Sequence, residues 1–260
     1  MPHAILVYPK FPKSFWGMNY ALPFVGRKST MPPLGLLTIA GMFPPNYKLR
    51  LVDMNVNLLK DEDLRWADVV FTSTMIVQQE SLDEVIARCK EAKVPIVAGG
   101  PHPTTFHDEI DGVNCFILGE VEESFPEFLD KESREDFRRE GVIYRESGKP
   151  DLSKTPLPRF DLIDFKNYDS MCLQFSRGCP FNCEFCDITK LYGRNPRTKN
   201  NKQMLQEFQL LYNLGWRGRV FLVDDNFIGR KNDAMRLLPA LAEWQSERGN
   251  PFDLYTEASV

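Results

Sequence analysis

No run in the 260-residue sequence approaches the roughly 18 apolar residues of a membrane span, and the opening "MPHAILVYPKFPK" holds too short an apolar stretch for a secretory signal. These absences predict a cytoplasmic protein without a membrane span. Positive charge is not in excess: 32 basic side chains stand against 36 acidic ones, a net charge of −4. With nothing basic enough to follow a phosphate backbone, nucleic acid is not an expected partner. Histidine is scarce, and His3, His102 and His107 all lie in the first half. Six cysteines make no disulfide framework in a chain of this length, and the scattered Cys89, Cys115 and Cys172 read as small buried hydrophobes. The rest is ordinary for a globular chain of one large or two medium domains, with 43% hydrophobic and 26% charged residues.

Strand and helix signals alternate through the first half. Short apolar runs stand at Ala4 to Pro9, Leu49 to Met54, Val69 to Thr74, Pro95 to Gly100 and Cys115 to Glu120, each nearly continuous, as parallel strands covered on both faces require. Helical patterns lie between them, from Pro33, from Ser81 and from Glu122. Ser81 with Glu84 forms a capping-box pattern, which predicts a helix start at Ser81. Five strands with helical crossovers predict a doubly wound parallel α/β domain over residues 1–132.

Ligands of such sheets bind beyond the carboxyl ends of the strands. No G-x-G-x-x-G turn follows the first strand; a long loop rich in proline and aromatics replaces it, which argues against a dinucleotide. Asp53 reads as an ordinary polar residue at a strand end. The third strand ends in "TSTM" (Thr72 to Met75), the fourth in "GGPHPT" (Gly99 to Thr104) and the fifth in "LGEVEES" (Leu118 to Ser124). Small residues at these ends either close ordinary turns or let a wide, flat ligand approach the backbone.

Residues 133–168 read as a linker strap: "KESREDFRREG" is heavily charged, and Pro150, Pro156 and Pro158 oppose regular structure. Strand and helix then alternate again over residues 169–260. A strand at Met171 to Ser176 precedes a helix around "NKQMLQEFQLLYNLG" ended by Gly215. A strand "RVFLVDD", a helix that Pro239 should kink or divide, and a last strand in "FDLYTEASV" follow. That order is the signature of a β/α barrel.

The first strand of this half runs into "RGCPFNCEFCD", where Cys179, Cys183 and Cys186 fall within eight residues. Structural zinc would need a fourth ligand, which the distant histidines do not offer and which Cys172, on the strand, could supply only in principle. A redox dithiol leaves Cys179 without a role. Iron-sulfur ligation fits better, because thiolates hold cubane clusters and three of them leave one iron open.

C-x3-C-x2-C with Phe185 before the last cysteine, in the loop after a barrel's first strand, resembles the radical S-adenosylmethionine (SAM) enzymes. The resemblance implies that Cys179, Cys183 and Cys186 hold a 4Fe-4S cluster whose open iron binds SAM, and that Phe185 packs near the adenine. It also implies that Asp224 and Asp225, ending the second barrel strand, meet the amino group of SAM, and that Glu257, on the third strand, reaches its ribose or methionine part. An acid at a strand end is also often a cap or turn residue.

With "PPLGLLTIAG" after the first loop, "GGPHPT" after the fourth strand and "TPLPRFDLIDF" as the joint, the whole chain is similar to the cobalamin-binding subclass, including hopanoid-type methylases. The implied fold is a Rossmann-like cobalamin-binding sheet followed by an incomplete β/α radical SAM barrel. Ser73, Thr74, Met75, Gly99, Gly100, Pro101, His102, Gly119 and Glu120 are then expected to line the corrin pocket. The motif D-x-H-x-x-G is absent, so the resemblance implies a corrin with no protein ligand on its lower face. The implied activity is methyl transfer to an unactivated carbon of a small-molecule or lipid substrate, fed by an external electron donor such as flavodoxin or ferredoxin. A radical SAM enzyme of another outcome, methylthiolation or rearrangement, and a non-catalytic iron-sulfur or cobalamin-binding protein stay open. Because barrels of this family usually have about six strands, the sequence is expected to be part of a longer enzyme, its last strand an unpaired edge.

Overall fold

A computed structural model describes residues 1–15, 17–131 and 139–259. Most of the charged run expected to be a solvated helix or linker, residues 132–138, lies outside the described residues.

The first half contains β1 (His3–Tyr8), α1 (Leu34–Ala40), β2 (Lys48–Asp53), α2 (Asp61–Trp66), β3 (Val69–Ser73), α3 (Gln79–Ala92), β4 (Ile96–Gly99), α4 (Pro101–Phe106), β5 (Cys115–Leu118), α5 (Ser124–Lys131) and β6 (Val142–Arg145). Its strands form one parallel sheet in the order β2-β1-β3-β4-β5-β6. Alternate side chains feed two cores, as the two-residue period of a strand demands. Ala4, Leu6, Phe71 and Ile117 pack with Leu36 of α1 and Phe125 of α5. Ile5, Val7, Ala98 and Leu118 pack with Leu64 of α2 and Leu82 of α3 on the opposite face. The order reverses between β1 and β3, and such a switch point opens a crevice beyond the strand ends.

Three expectations change here. The segment read as a strap contributes β6, paired in parallel with β5 through Cys115↔Val142 to Leu118↔Arg145. This edge strand alternates half-buried and exposed residues, so it lacks the continuous apolar signal of the inner strands. Helix α3 begins at Gln79, not at Ser81, because a 3-10 turn over Ile76–Gln78 runs directly into it. Gln78 Oε1 accepts the Met75 N–H at 2.9 Å, while the Ser81 hydroxyl accepts from the Lys10 N–H at 2.8 Å and caps nothing. Asp53 is no ordinary strand-end residue: it is buried and accepts bonds from Asn55 and, at 3.1 Å, from the Tyr168 hydroxyl of the joint.

The second half runs β7 (Ser170–Leu173), β8 (Ser176–Arg177), α6 (Ile188–Leu191), β9 (Arg197–Thr198), α7 (Asn201–Asn213), β10 (Gly218–Leu222), α8 (Lys231–Glu247) and β11 (Phe252–Thr256). β7, β10 and β11 form a parallel sheet in chain order, and β8 pairs with β9 as a short antiparallel ribbon. The single strand expected over Met171 to Ser176 is thus two strands. Pro239 sits inside α8 without dividing it. The core of this half, with Met171, Phe208, Val220 and Leu241, also takes in Leu37 of α1 and Tyr168 of the joint. Among the described residues no helix is long and apolar enough to cross a membrane.

Candidate functional site

The carboxyl edge of the first sheet is made of small residues held close together. Gly100, at φ +93°, lies so near β3 that a Cβ there would stand 2.6 Å from Ser73 Oγ and 2.8 Å from the Thr74 nitrogen. Only glycine accepts both that conformation and that approach. The Thr74 N–H donates to the Gly99 carbonyl at 3.1 Å, and the His102 N–H donates to the Thr74 carbonyl at 3.0 Å, so the ends of β3 and β4 form one bonded surface. A crevice opens there, lined by Leu36, Phe71, Thr72, Gly99, Gly100 and Ile117.

Three polar atoms at this edge are buried without a partner: Thr72 Oγ1, Thr74 Oγ1 and His102 Nδ1. A buried hydroxyl or ring nitrogen left unpaired is costly, and such groups mark places where a ligand supplies the missing bond. Burial also lowers the pKa of His102, which favours the neutral imidazole. The set fits a ligand with a broad face and peripheral polar groups. Pro101 opens α4 beside Gly100, and Met75 is 49% exposed at the rim. Gly119, at φ +88°, donates its N–H to Thr104 Oγ1 at 2.9 Å. Glu120 departs from the expectation of a free pocket wall, since its carboxylate is taken up by Arg197 and Arg177 at 2.8 and 3.0 Å.

The cysteine loop leaves the root of the second sheet. Ser176 donates its N–H to Asp224, and Gly178 donates its N–H to Asp225 Oδ2 at 2.7 Å. The two acids after β10 thus anchor the strand that carries the loop. Gly178, at φ +95°, permits the turn, and a Cβ there would meet the Gly193 carbonyl at 2.9 Å. The Cys179 N–H donates to that same carbonyl at 3.2 Å, and the amide of Asn226 lies 3.9 Å from Cys179 Sγ. Burial raises the Asp224 carboxyl to about 6, against the opposing pull of N–H groups from Ser176 and Phe175. Asp225 is raised for the same first reason, with Gly178 and Arg177 pulling it down. The Ser176 hydroxyl also interacts with the Asp224 carboxyl, while Asp224 Oδ2 meets no partner at hydrogen-bond geometry, so polar capacity is left over at this root.

Beyond the root the loop is open. Cys183 is exposed, and Cys179 and Cys186 are half-buried. Among the described residues no group of three or more His, Cys, Asp or Glu side chains is gathered so that it could hold a metal ion. Phe185, expected against an adenine, is 91% exposed. Glu257 lies one residue past β11, not on it; its side chain is exposed and its carbonyl accepts the Phe227 N–H at 3.0 Å. Cys172 is buried, with its thiol donating to the Pro32 carbonyl at 3.3 Å, and is not part of the loop.

Sequence reasoning missed Asn226, Arg177 and Arg197. Asn226 is buried and also pairs with Ser259. Its only signal was its place directly after two acids at a strand end; the arginines gave none, because their partners lie 57 and 77 residues away.

Residues 24–129 match the B12 binding domain. Over 259 residues the chain is 48% identical to an uncharacterized methyltransferase of Synechocystis sp., covering 99% of this chain and 48% of that protein. It is 34% identical over 258 residues to the hopanoid C-2 methylase of Rhodopseudomonas palustris, covering 98% of this chain and 49% of the methylase. The chain therefore spans about half the length of the curated relatives it matches. The structure of OxsB, a cobalamin-dependent S-adenosylmethionine radical enzyme with aqua-cobalamin and S-adenosylmethionine bound, superposes with a TM-score of 0.67 at 16% identity, covering 98% of this chain and 38% of OxsB. That likeness is one of fold. The chain thus carries a match to the B12 binding domain ahead of a C-x3-C-x2-C strand-end loop, is similar in sequence to methylases, and is similar in fold to a cobalamin-dependent radical SAM enzyme.

Proposed function

We propose that this chain supplies the corrin-binding and cluster-binding parts of a cobalamin-dependent radical SAM methyltransferase acting on an unactivated carbon. One observation carries the reading: within the stretch that matches the B12 binding domain, Glu120, just past β5, pairs with Arg177 of β8, the strand that opens a C-x3-C-x2-C loop. When bound, the cluster and SAM supply one-electron cleavage of a carbon-sulfur bond, and the corrin supplies a transferable methyl group.

The chain's residues hold and align these groups. Ser73, Thr74, Gly99 and Gly100 give a flat floor at the first sheet's edge, with Met75, Pro101, His102 and Gly119 around it. His102, its ring favoured neutral by burial and its backbone held by Thr74, would offer Nδ1 as a polar contact to a bound corrin. Cys179, Cys183 and Cys186 would be the thiolate donors to the cluster. Asp224 and Asp225 hold the loop root, with Asp224 Oδ2 free for an ammonium group; Phe185 and Glu257 close over the nucleoside and amino-acid parts of SAM. The substrate class is a lipid or isoprenoid, supported by the 34% identical hopanoid methylase, and the setting is a reducing cytoplasm with a flavodoxin- or ferredoxin-type donor. The corrin and cluster parts correspond to residues 1–132 and 169–260, joined by 133–168, whose strand β6 extends the first sheet.

The test is anaerobic reconstitution of the full chain with iron, sulfide and hydroxocobalamin. We expect about one four-iron cluster per chain together with a bound corrin spectrum. Cys183→Ala should lose the cluster while Cys89→Ala keeps it, and His102→Ala should leave the corrin bands where they were. Normal iron content in Cys183→Ala, or zinc in place of iron, would overturn the cluster assignment.

A further inference from the structure

Two buried carboxylates and two half-buried guanidinium groups lie outside both the cysteine set and the sheet-end crevice, and they lie between the two. Glu120 and Glu122 stand just after β5, with side chains 1% and 0% exposed. Arg177 ends β8, two residues before Cys179, and Arg197 opens β9. Arg177 Nη1 reaches Glu120 at 3.0 Å and Glu122 at 2.8 Å, while Arg197 grips both oxygens of Glu120 at 2.8 and 2.9 Å. The guanidinium of Arg177 is oriented further by Gln174, which accepts from its Nε at 2.8 Å. Thr155 donates to Glu122 at 3.0 Å, and the other Glu122 oxygen is buried without a partner.

Such a cluster is an expensive way to fill space. Charges removed from water gain little net stability from one another, whereas apolar side chains of the same volume would pack at no desolvation cost; what paired buried charges can fix is geometry. Here both ends of the cluster are tied to candidate site residues. On one side Glu120 follows Gly119, whose N–H is held by Thr104 of α4, the helix that starts directly after Gly100. On the other, Arg177 precedes Gly178, held by Asp225, and then Cys179, held by the Gly193 carbonyl.

We propose that Arg177, clamped by Glu120 and Glu122, is a positioning residue that fixes the cysteine loop against the carboxyl edge of the six-stranded sheet, so that a corrin bound over that edge tightens the loop at Cys179. The coupling to a corrin rests on the function proposed above; the clamp on the loop does not. Arg177 spends Nη1 on both carboxylates and Nε on Gln174, separate donors of one planar group that a lysine ammonium cannot reproduce.

The experiment is thiol alkylation of the whole 260-residue apo-chain by iodoacetamide, followed residue by residue with mass spectrometry. Cys183, already exposed, serves as the reference for intrinsic reactivity, and buried Cys89, Cys115 and Cys172 report any global unfolding. In Glu120→Gln, which leaves two guanidinium groups short of a charge, Cys179 should react at least about tenfold faster relative to Cys183 while the buried three stay protected. An unchanged ratio would overturn the clamp. If Glu120→Gln exposes the buried three as well, Arg177→Lys, which keeps a cation but loses the fork, carries the same expectation and the same refutation. A second arm adds hydroxocobalamin: it should slow Cys179 alkylation in the wild type and not in Glu120→Gln. A corrin that binds by its spectrum yet slows neither protein, or both alike, overturns the coupling and leaves the clamp judged by the first arm. Absence of any corrin spectral change instead strikes the proposed function.

Discussion

The carboxyl edge of the six-stranded sheet and the cysteine loop are both strand-end sites, yet they are built in opposite ways. The edge is finished: β3 and β4 are bonded through Thr74 and Gly99, Gly100 is pressed against β3, and three polar atoms point into place without partners. The loop is fixed only at its root, by Asp224, Asp225 and the Gly193 carbonyl, while Cys183 and Phe185 stand in solvent. A ligand that arrives whole can be met by a preformed floor of backbone and small residues. A cluster whose ligands are the chain's own thiolates instead asks the chain to close around it, so its loop must have room to move.

The sharpest way to break this contrast is to disturb the preformed side. Gly100→Ala forces a Cβ into Ser73 and Thr74 at a left-handed φ, and should destabilise the fold by about 2–3 kcal/mol and abolish hydroxocobalamin binding, measured by urea unfolding and by corrin absorbance. If both are unchanged, the edge is not the tight floor described above.

On the loop's root, Asp224 gives a pH signature. Its folded pKa, raised by burial to about 6, exceeds its ordinary value, so the protonated form is favoured by folding. The stability tied to this group is fully present below the ordinary carboxyl pKa and is lost as pH rises through 6. Asp224→Asn cannot titrate there, so its stability relative to wild type should improve by about 2–3 kcal/mol between pH 4 and pH 7. Parallel unfolding curves for the two proteins across that range would show that the root is wetter than the structure indicates.

The smallest effect concerns the helix that follows the edge. Gln78→Ala removes the acceptor of the Met75 N–H and should cost roughly 2 kcal/mol, whereas Ser81→Ala, losing one bond to the Lys10 N–H, should cost about 1 kcal/mol or less. The reverse order would restore Ser81 as the helix cap.

The sequence by itself determined the alternation of five buried strands with helices, the glycine pair at the fourth strand end and the three thiols after the strand of the second half. Each is a local pattern, written by side-chain period, by the conformational freedom of glycine or by spacing. The sixth strand escaped because an edge strand with half-exposed residues carries no continuous apolar run. The start of α3 escaped because a 3-10 turn capped by Gln78 outcompeted a valid capping box two residues on. What only the tertiary structure decided is which charges meet. Asp53 finds Tyr168 across 115 residues and Glu120 finds Arg197 across 77, and no local pattern encodes such partners, because a buried charge is made tolerable only by groups that folding brings to it from elsewhere in the chain.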